Sequence, residues 1–555
     1  MALTKLTKNG YQIPIKDLSD TDLKKIQRDL TVVPLINEEF GKEPEAFEIY
    51  RQDKTHIYLP RFYGIEHFGN PKSSELYEGD KIDIKFTEKL RPYQIPIIDK
   101  ICNHFINSGG GGVLTLPCGK GKTIIGINLI SRVQKKTIVV VHKEFLMRQW
   151  RKRLGEFTNA KVGIIQGKKI DVEGKDVVIA MVQSLSMKDY DPKIFKSFGF
   201  ALIDECHHNS APTFSRALHK IMTPHMLGIS ATPDRPDGLS KVLHWHLGPM
   251  IHREEMEPND YVKTQIYKFK SQNPTFKQYW RYNHAPDMVK TLTKLTEMKE
   301  RNDFIVDRIN EIRHLPERRK ILVISERINH LKYLEKMVSK SIKEDKRRKN
   351  ILLRMKFELE LSLGISKKKN LSKDFKQGEE DARDKKLHAE MLIKDQLLYK
   401  IVMKKLEELE LINADAHTTG FYIGKMKQYE LAETEKNDII FGSYGMAEEG
   451  LDIVDLNAIF LTTPRSRRKV VQSVGRILRL QEYVIQPLVV DIIDQLPRSI
   501  KQGEGRESFY QVSKYILEYF SVCDQLIEKI DPSLIPKAFL KTVSAYANDY
   551  GFTDD

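Results

Sequence analysis

The stretch from residue 112 to residue 130 limits the possible folds more than any other part of this 555-residue sequence. An apolar run ends at Pro117, a short turn contains Gly119 and Gly121, and a helix-forming segment begins at Thr123. Glycines in such a strand-to-helix turn let backbone N–H groups converge on an anion, and the positive end of the helix dipole adds to the attraction. The pattern predicts a phosphate-binding loop, with an ordinary glycine-rich turn as the alternative.

Individual positions in this turn predict ATP and Mg²⁺ as ligands. Lys122 stands where a lysine reaches the β- and γ-phosphates of a nucleotide, and Thr123 stands where a hydroxyl binds Mg²⁺. The other predicted nucleotide-binding residues of the turn are Gly119, Lys120 and Gly121.

Composition narrows the class of protein. The 91 Lys and Arg residues against 76 Asp and Glu residues give a net charge of +15, which favours a polyanionic partner such as nucleic acid. No apolar run is long enough to cross a membrane, and the N-terminus lacks the apolar core of a secretory signal. The four scattered cysteines argue against a zinc site or a disulfide framework. We therefore expect an intracellular, reducing compartment: the nucleus or cytoplasm, or a virion or viral factory if the source is viral.

Two further motifs fit a nucleotide site. Residues 90–94 (Leu-Arg-Pro-Tyr-Gln) precede the loop, and the amide of Gln94 offers the donor and acceptor that the adenine edge requires. An apolar strand over residues 200–203 ends in Asp204 and Glu205. Asp204 is predicted to hold Mg²⁺, and Glu205 is predicted to orient and deprotonate the attacking water.

Polar residues close to these carboxylates predict a relay. His207 and His208 follow Glu205, but without an HExxH pattern or a nearby cysteine pair they are predicted to form a polar link, not a zinc site. Ser230 and Thr232 end a later strand and are candidates for passing the state of the nucleotide to a nucleic-acid groove.

A second α/β unit begins near residue 301. It is interrupted at residues 339–412 by charged segments with helical apolar spacing, which predict an inserted helical hairpin or coiled coil whose basic patches contact nucleic acid or a protein partner. Farther on, Arg476 and Arg479 are three residues apart in a helical segment that begins at Gln472, so both guanidinium groups share one face. Such a pair suits a γ-phosphate, with a surface salt-bridge pair as the alternative.

The motifs at residues 90–94, 119–123, 204–208, 230–232, 445–452 and 472–479, in this order, resemble those of the superfamily 2 helicases. The runs Pro-Cys-Gly-Lys-Gly-Lys-Thr, Asp-Glu-Cys-His-His and Ser-Ala-Thr-Pro-Asp-Arg-Pro-Asp-Gly are most similar to the branch that contains XPB, UvsW and the transcript-release helicase of poxviruses. The resemblance covers about residues 86–500 without the insertion. XPB-like enzymes carry an Arg-Glu-Asp triplet where this chain has Arg235-Pro236-Asp237, so a role in wedging duplexes apart is not implied.

The resemblance implies an α/β fold of two tandem RecA-like parallel-sheet lobes that step along a strand as ATP binds and is hydrolysed between them. The implied catalytic residues are Lys122, Asp204, Glu205, Gln472, Arg476 and Arg479. Gly450 and Asp452 join Gln94 and the loop in binding ATP. The expected domains are an N-terminal accessory domain (1–85), lobe one (86–255), a bridging segment (256–300), lobe two (301–500, with the helical insertion 339–412) and a C-terminal helical tail (501–555).

The implied function is that of an ATP-dependent DNA translocase or helicase that moves 3′ to 5′ and acts as a monomer. The expected process is either transcription, with the transcription machinery as partner, or the remodelling of branched DNA. Two alternatives stay open: an RNA helicase with the same motor, and a nucleic-acid-binding scaffold with an inactive ATP site. The aromatic run at residues 279–282 is consistent either with base stacking or with packing between domains.

Overall fold

The computed structural model of the chain describes residues 3–33, 45–107, 110–117, 119–208, 211–231, 239–254, 258–282, 284–363, 365, 382–411, 417–447, 453, 455–475, 484–524 and 526–530. The chain divides into two compact units, Met1–Glu257 and Pro258–Asp555. No helix within the described ranges is both long and apolar enough to cross a membrane.

The N-terminal part of the first unit is a small mixed sheet with two helices. Its elements are β1 (Lys5–Thr7), β2 (Gly10–Pro14), α1 (Asp20–Asp29), β3 (Thr31–Val32), β4 (Phe47–Glu48), β5 (Arg51–Gln52), β6 (His56–Leu59), α2 (Arg61–Phe68) and β7 (Ser73–Ser74). Five of the strands form one sheet in the order β5-β6-β2-β1-β7, and β3 pairs with β4.

The rest of the first unit is an eight-stranded α/β sheet. Its elements are α3 (Gln94–Asn107), β8 (Gly111–Thr115), α4 (Lys122–Val133), β9 (Thr137–Val141), α5 (Glu144–Phe157), β10 (Val162–Gln166), β11 (Lys169–Ile170), β12 (Val177–Met181), α6 (Val182–Met187), β13 (Phe200–Asp204), α7 (Ala211–Leu218), β14 (His225–Ser230), α8 (Ser240–Leu247) and β15 (Met250–Arg253). The strand order is β11-β10-β12-β9-β13-β14-β8-β15, and every pairing is parallel except that of the short β11.

Both faces of this sheet are covered. Val139 and Val141 pack into one core, and Ile138 and Val140, which alternate with them along β9, pack into the other. Strands that are buried on both faces read as continuous apolar runs, which is why these strands could be located from the sequence.

The N-terminal elements do not have a core to themselves. Their apolar cluster includes Leu239 and Val242, and Trp245 of α8 meets Tyr63 of α2 edge to face at 5.3 Å between ring centroids. The buried guanidinium of Arg61 donates to the carbonyl oxygens of Thr223 and Pro224 at 3.2 and 3.0 Å. The region that the sequence suggested as an accessory domain is thus packed onto the large sheet of the same unit.

The second unit is also a mostly parallel eight-stranded sheet with flanking helices. Its elements are β16 (Lys263–Lys270), α9 (Met288–Glu297), α10 (Lys299–Arg313), β17 (Ile321–Ser325), α11 (Ile328–Ser362), α12 (Ala382–Leu411), β18 (Thr419–Tyr422), α13 (Gln428–Thr434), β19 (Ile439–Ser443), α14 (Tyr444–Ala447), β20 (Ala458–Leu461), α15 (Arg467–Val474), β21 (Leu488–Asp494), α16 (Pro497–Val512), β22 (Ile516–Cys523) and β23 (Leu526–Ile530). The strand order is β18-β19-β17-β20-β21-β16-β22-β23, with only β22 and β23 antiparallel. Two such sheets in tandem confirm the predicted fold class.

Two segment assignments made from the sequence were wrong. Residues 256–300 are not simply a bridge, because β16 lies inside the second sheet between β21 and β22. The C-terminal tail is helical only through α16; β22 and β23 follow, and residues 531–555 lie outside the description. Residues 516–523 are rich in the β-branched and aromatic residues that favour strands, and β22 extends the sheet beside β16.

The insertion contains two long helices. Helix α11 runs past residue 338 to Ser362, and α12 packs along it through Leu359, Val402 and Leu406. The hydroxyl of Tyr399 on α12 donates to Oε1 of Glu360 on α11 at 3.2 Å. The described parts of the insertion therefore have the helical hairpin arrangement expected from the charged, periodic sequence.

Candidate active site

The turn between β8 and α4 has the backbone geometry of a phosphate-binding loop. Gly119 and Gly121 both take positive φ angles, 85° and 73°, which glycine adopts without steric cost. A Cβ atom on Gly121 would also lie 2.5 Å from Nε2 of Gln94. The positive φ angle therefore favours glycine at residue 121, a Cβ atom there would displace the amide of Gln94, and Lys122 begins the helix directly after it.

The side chain of Lys122 lies over this turn. Its Nζ donates to the carbonyl oxygen of Leu116 at 3.2 Å and lies 3.7 Å from Oε1 of Glu205. Thr123, the second residue of α4, is half-buried beside it. The structure thus brings the predicted phosphate-binding lysine and the predicted general base together at one edge of the first sheet.

Asp204 is a buried carboxylate at the end of β13 with both oxygens oriented by the protein. Oδ2 accepts a hydrogen bond from Nε1 of Trp150 at 2.7 Å, and Oδ1 accepts one from the backbone N–H of Glu205 at 3.0 Å. Burial, and next the neighbouring charge of Glu205, raise the pKa of Asp204 to about 6. Two adjacent carboxyl groups in a buried setting favour a cation, because a positive charge relieves both the desolvation and the repulsion.

The residues present fit Mg²⁺. Among the described residues, no group of three or more His, Cys, Asp or Glu side chains could hold a metal. Mg²⁺, however, is usually held by one or two carboxylates together with substrate phosphates and water. Asp204 and the hydroxyl of Thr123 lie on neighbouring elements at this edge of the sheet. They would provide one carboxylate and one hydroxyl oxygen for such an ion.

Glu205 is connected to the next strand through His207. Nδ1 of His207 lies 3.5 Å from Oε2 of Glu205 and 2.6 Å from Oγ of Ser230, the last residue of β14. Glu205 itself has a φ angle of 45°, an uncommon conformation for a residue other than glycine. The polar link expected at these histidines is therefore present at His207, while Thr232 and the side chain of His208 lie outside the described residues.

Gln94 lies against the loop. Its Nε2 donates to the carbonyl oxygen of Lys120 at 3.3 Å, and its Oε1 accepts from the backbone N–H of Arg91 at 3.0 Å. The hydroxyl of Tyr93 donates to the same Lys120 oxygen at 3.1 Å. Gln94 is thus placed beside the predicted nucleotide loop, and its contact with adenine stays a prediction.

Sequence reasoning missed three side chains of this site. Tyr93 stood inside the motif at residues 90–94 without a role, and no role was predicted for Trp150. Glu254, whose Oε1 lies 2.6 Å from Nζ of Lys120, had no signal at all, because it follows β15 at a great distance along the chain. Each acts across elements that only the folded sheet brings together.

The second-unit candidates cannot be compared with this geometry. Gly450, Asp452, Arg476 and Arg479 lie outside the described residues, and for Gln472 only the backbone, in α15, is described. Their roles stay predictions from the resemblance.

A strand that turns through two left-handed glycines into a helix headed by lysine, beside a strand that ends in two carboxylates, defines the nucleotide-binding lobe of a P-loop NTPase. Comparisons with known proteins narrow this class. A family model described as "Type III restriction enzyme, res subunit" matches residues 87–235. The "Putative ATP-dependent RNA helicase L396" of Acanthamoeba polyphaga mimivirus is 33% identical over 541 residues, which are 95% of this chain and 89% of that protein. The chain belongs to the superfamily 2 helicases and is an ATP-dependent enzyme of that family.

Three further matches have lower sequence identity. The "Putative ATP-dependent RNA helicase QP509L" of African swine fever virus (isolate Tick/Malawi/Lil 20-1/1983) is 25% identical over 76% of this chain and 73% of its own length. The "DNA 3'-5' translocase XPB2" of Sulfurisphaera tokodaii is 28% identical over 26% of this chain and 32% of its own length. The crystal structure of T4 UvsW aligns over 94% of this chain and 99% of its own, with 15% identity and a TM-score of 0.32. The family assignment depends on the sequence relatives and not on that weak superposition.

Proposed function

We propose that this chain is a nucleic-acid-stimulated ATPase that couples hydrolysis at Lys122, Asp204 and Glu205 to movement along DNA. One observation carries the proposal: Nζ of Lys122 lies 3.7 Å from Glu205, at the same sheet edge as the buried Asp204. A lysine for phosphate, a carboxylate for a metal and a carboxylate for water are the parts that ATP hydrolysis requires.

Each residue has a separate task in this mechanism. The turn with Gly119 and Gly121 directs backbone N–H groups toward the phosphates, and the Lys122 ammonium binds the β- and γ-phosphates. Asp204 and Thr123 would hold Mg²⁺, which would supply positive charge to offset that of the phosphate oxygens. Glu205 accepts the proton of the attacking water.

His207 and Ser230 provide a route by which the site influences the rest of the first unit. In this proposal the His207 ring links the two groups, because its Nδ1 lies 3.5 Å from Oε2 of Glu205 and 2.6 Å from Oγ of Ser230. In this proposal the pair reports the nucleotide state to the end of β14, where the next motif begins. Arg476 and Arg479 are proposed to neutralise the γ-phosphate during hydrolysis, as the family resemblance implies.

DNA is proposed as the track, with 3′-to-5′ movement. The motif set resembles the XPB branch, and a relative over part of the chain is named a DNA 3′-5′ translocase. RNA is the second candidate, because the relatives that match most of the chain are named RNA helicases. A viral source, monomeric action, and a task in transcription with the transcription machinery or in branched-DNA remodelling are further parts of the proposal.

A direct comparison of tracks tests it. ATP hydrolysis is measured with DNA and RNA strands of matched length and sequence, followed by displacement from substrates with 3′ or 5′ tails. Stronger stimulation by DNA and displacement only from 3′ tails are expected. Stimulation by RNA alone would show that the track is RNA and not DNA. No ATP hydrolysis with any polynucleotide would instead favour the alternative of a nucleic-acid-binding scaffold with an inactive ATP site.

Salt dependence gives a second test of the track. Binding to phosphates releases counterions, so the logarithm of the affinity should fall linearly and steeply with the logarithm of the salt concentration. A flat response would contradict a grip on the phosphate backbone.

A further inference from the structure

A short β-hairpin projects from the second unit between β16 and α9. We call residues 279–282 and 284–287 the aromatic hairpin. Trp280 pairs with Pro286 in an antiparallel bridge, the backbone N–H of Arg281 donates to Ala285 at 2.8 Å, and that of Asp287 donates to Tyr279 at 2.8 Å. Residues 279–281 are therefore paired through the backbone with residues 285–287.

The base of the aromatic hairpin is attached to α9 through one buried hydroxyl. Oγ1 of Thr291 accepts from the backbone N–H of Tyr279 and from Nε2 of Gln278, both at 3.0 Å, and donates to the carbonyl oxygen of Asp287 at 2.7 Å. Thr291 is 1% exposed. The hairpin tip is thus held in a defined position relative to the unit's core.

Two large rings at the tip face solvent. Trp280 is 57% exposed and Tyr282 is 105% exposed, so neither contributes materially to an apolar core. Tryptophan and tyrosine are enriched at binding surfaces, because they bring a large apolar area at a small cost in conformational entropy. Two exposed rings on one anchored tip therefore indicate a contact site.

Three positively charged side chains lie next to these rings along the chain or on the neighbouring ring of Tyr279. Arg281 lies between them in sequence, and the Nζ atoms of Lys277 and Lys290 lie 5.6 and 5.1 Å from the ring centroid of Tyr279. Within the described part of the chain none of these three cations forms an ion pair. The carboxylate of Asp287 accepts a hydrogen bond from the backbone N–H of Lys290 at the start of α9.

We propose that the aromatic hairpin binds an unpaired nucleic-acid strand, with Trp280 and Tyr282 stacking on bases and the three cations contacting phosphates. Ring faces stack on any base, but the bases of a duplex already have their faces covered, so the surface fits a single strand. Exposed rings among unpaired cations favour a polyanion with aromatic groups over a protein partner. The inference depends on the proposed action on nucleic acid and adds where that strand is held.

Fluorescence isolates one of the rings. The chain has three tryptophans, of which Trp150 is 1% exposed and Trp245 is half-buried, so Trp280 is the one that solvent and ligands reach most easily. Single-stranded DNA should quench the emission of the full-length protein, and Trp280→Phe should remove that response. A blunt duplex of the same length, or an abasic strand with the same phosphates, should leave the emission nearly unchanged.

Affinity measurements test both rings together. Trp280→Ala/Tyr282→Ala should bind a labelled single strand about tenfold or more weakly per ring lost, whereas Trp280→Phe/Tyr282→Phe should bind within about threefold of the wild type. Tyr429→Ala removes an equally exposed ring on α13, 62% exposed, and should have no effect. The alanine double variant should lose its defect when the strand is abasic, because no base is then available for stacking.

The outcomes separate this inference from the proposed function. If the wild type hydrolyses ATP with a polynucleotide but the alanine double variant binds strands as tightly as the wild type, the hairpin site is wrong and the motor stands. Loss of affinity for abasic and intact strands alike would also overturn the stacking role, because the defect would then not depend on the bases. If the wild type binds no polynucleotide, both proposals fail.

Discussion

The indole Nε1 of Trp150 donates a 2.7 Å hydrogen bond to Oδ2 of Asp204, deep in the first unit. Trp150 is 1% exposed and Asp204 is 6% exposed, so water does not readily replace this contact. The bond lowers the pKa of Asp204, against the larger effect of burial, which raises it. The indole therefore helps to keep the proposed metal ligand charged.

Trp150→Phe should raise the Mg²⁺ concentration needed for half-maximal ATP hydrolysis and lower kcat. Without the indole donor, Oδ2 loses its partner at a cost of about 1–3 kcal/mol, and the pKa of Asp204 rises further. A Mg²⁺ titration of the hydrolysis rate measures the effect. Trp245→Phe, on the far side of the sheet among the N-terminal apolar residues, is the control; an unchanged Mg²⁺ requirement in Trp150→Phe would contradict the assignment.

Lys122→Ala should remove ATP turnover, with a loss of about 10²–10³-fold or more, because it deletes the cation that binds the β- and γ-phosphates. Binding of a labelled strand should change little. Lys120→Ala is a matched control from the same loop, since that ammonium pairs with Glu254 at 2.6 Å, and it should retain measurable turnover. Equal losses in the two variants would mean that Lys122 has no special role.

Glu205→Gln should retain ATP binding and lose hydrolysis by about 10²–10⁴-fold, because the amide has the shape of the carboxyl group but cannot accept the proton of water. Equilibrium binding of ATP and single-turnover hydrolysis separate the two effects. Glu254→Gln, which changes an acid outside the proposed chemistry, is the comparison. Hydrolysis at the wild-type rate in Glu205→Gln would assign the base elsewhere.

Arg476→Ala should slow ATP hydrolysis by about 10³–10⁵-fold if this arginine neutralises the γ-phosphate in the transition state. Arg476→Lys preserves the charge but not the planar, multidentate donor, so it should recover only part of the rate. The hydrolysis rate under saturating strand and ATP is the measurement. A wild-type rate in Arg476→Ala would show that Arg476 does not have the role that the motif resemblance implies.

The second unit contains a pH-sensitive carboxyl group. Glu507 of α16 is 3% exposed, and its Oε1 lies 3.9 Å from Nζ of Lys268. Burial, the largest cause, raises the pKa of Glu507 from its ordinary 4.5 to about 7. Between these values the folded state binds more protons than the unfolded state, so the free energy of unfolding should fall as the pH rises from about 4.5 to about 7.

Glu507→Gln should remove this pH dependence. At pH 8 the variant should be more stable than the wild type by up to about 3 kcal/mol, and near pH 4 the two should be alike. Thermal midpoints at several pH values check it. Glu504→Gln changes an exposed acid on the same helix and should keep the pH dependence of stability that the wild type shows. If Glu507→Gln also kept that pH dependence, Glu507 would not be its cause.

Much of the first unit could be predicted because its signals are local. Each motif of the nucleotide site occupies a short stretch of sequence: the apolar runs of β8 and β13, the two glycines of the turn, and the paired carboxylates. Each motif can therefore be recognised without knowledge of distant residues. Prediction was poorer for two strands of the second sheet. The strand β16 was taken for part of a bridge and β22 for a helical tail, because a strand is defined by neighbours that are distant in sequence.

By itself, the sequence determined the chemical types: a glycine turn with Lys122, a strand ending in Asp204 and Glu205, and an aromatic run at residues 279–282. Only the tertiary structure decided how those groups are held. The donor to Asp204 comes from a residue 54 positions earlier, and the backbone of Tyr279, next to the exposed Trp280, is held by a hydroxyl in the following helix. The physical reason is that residue type is a local property, whereas desolvation and hydrogen-bond geometry depend on side chains that the packed sheets bring together.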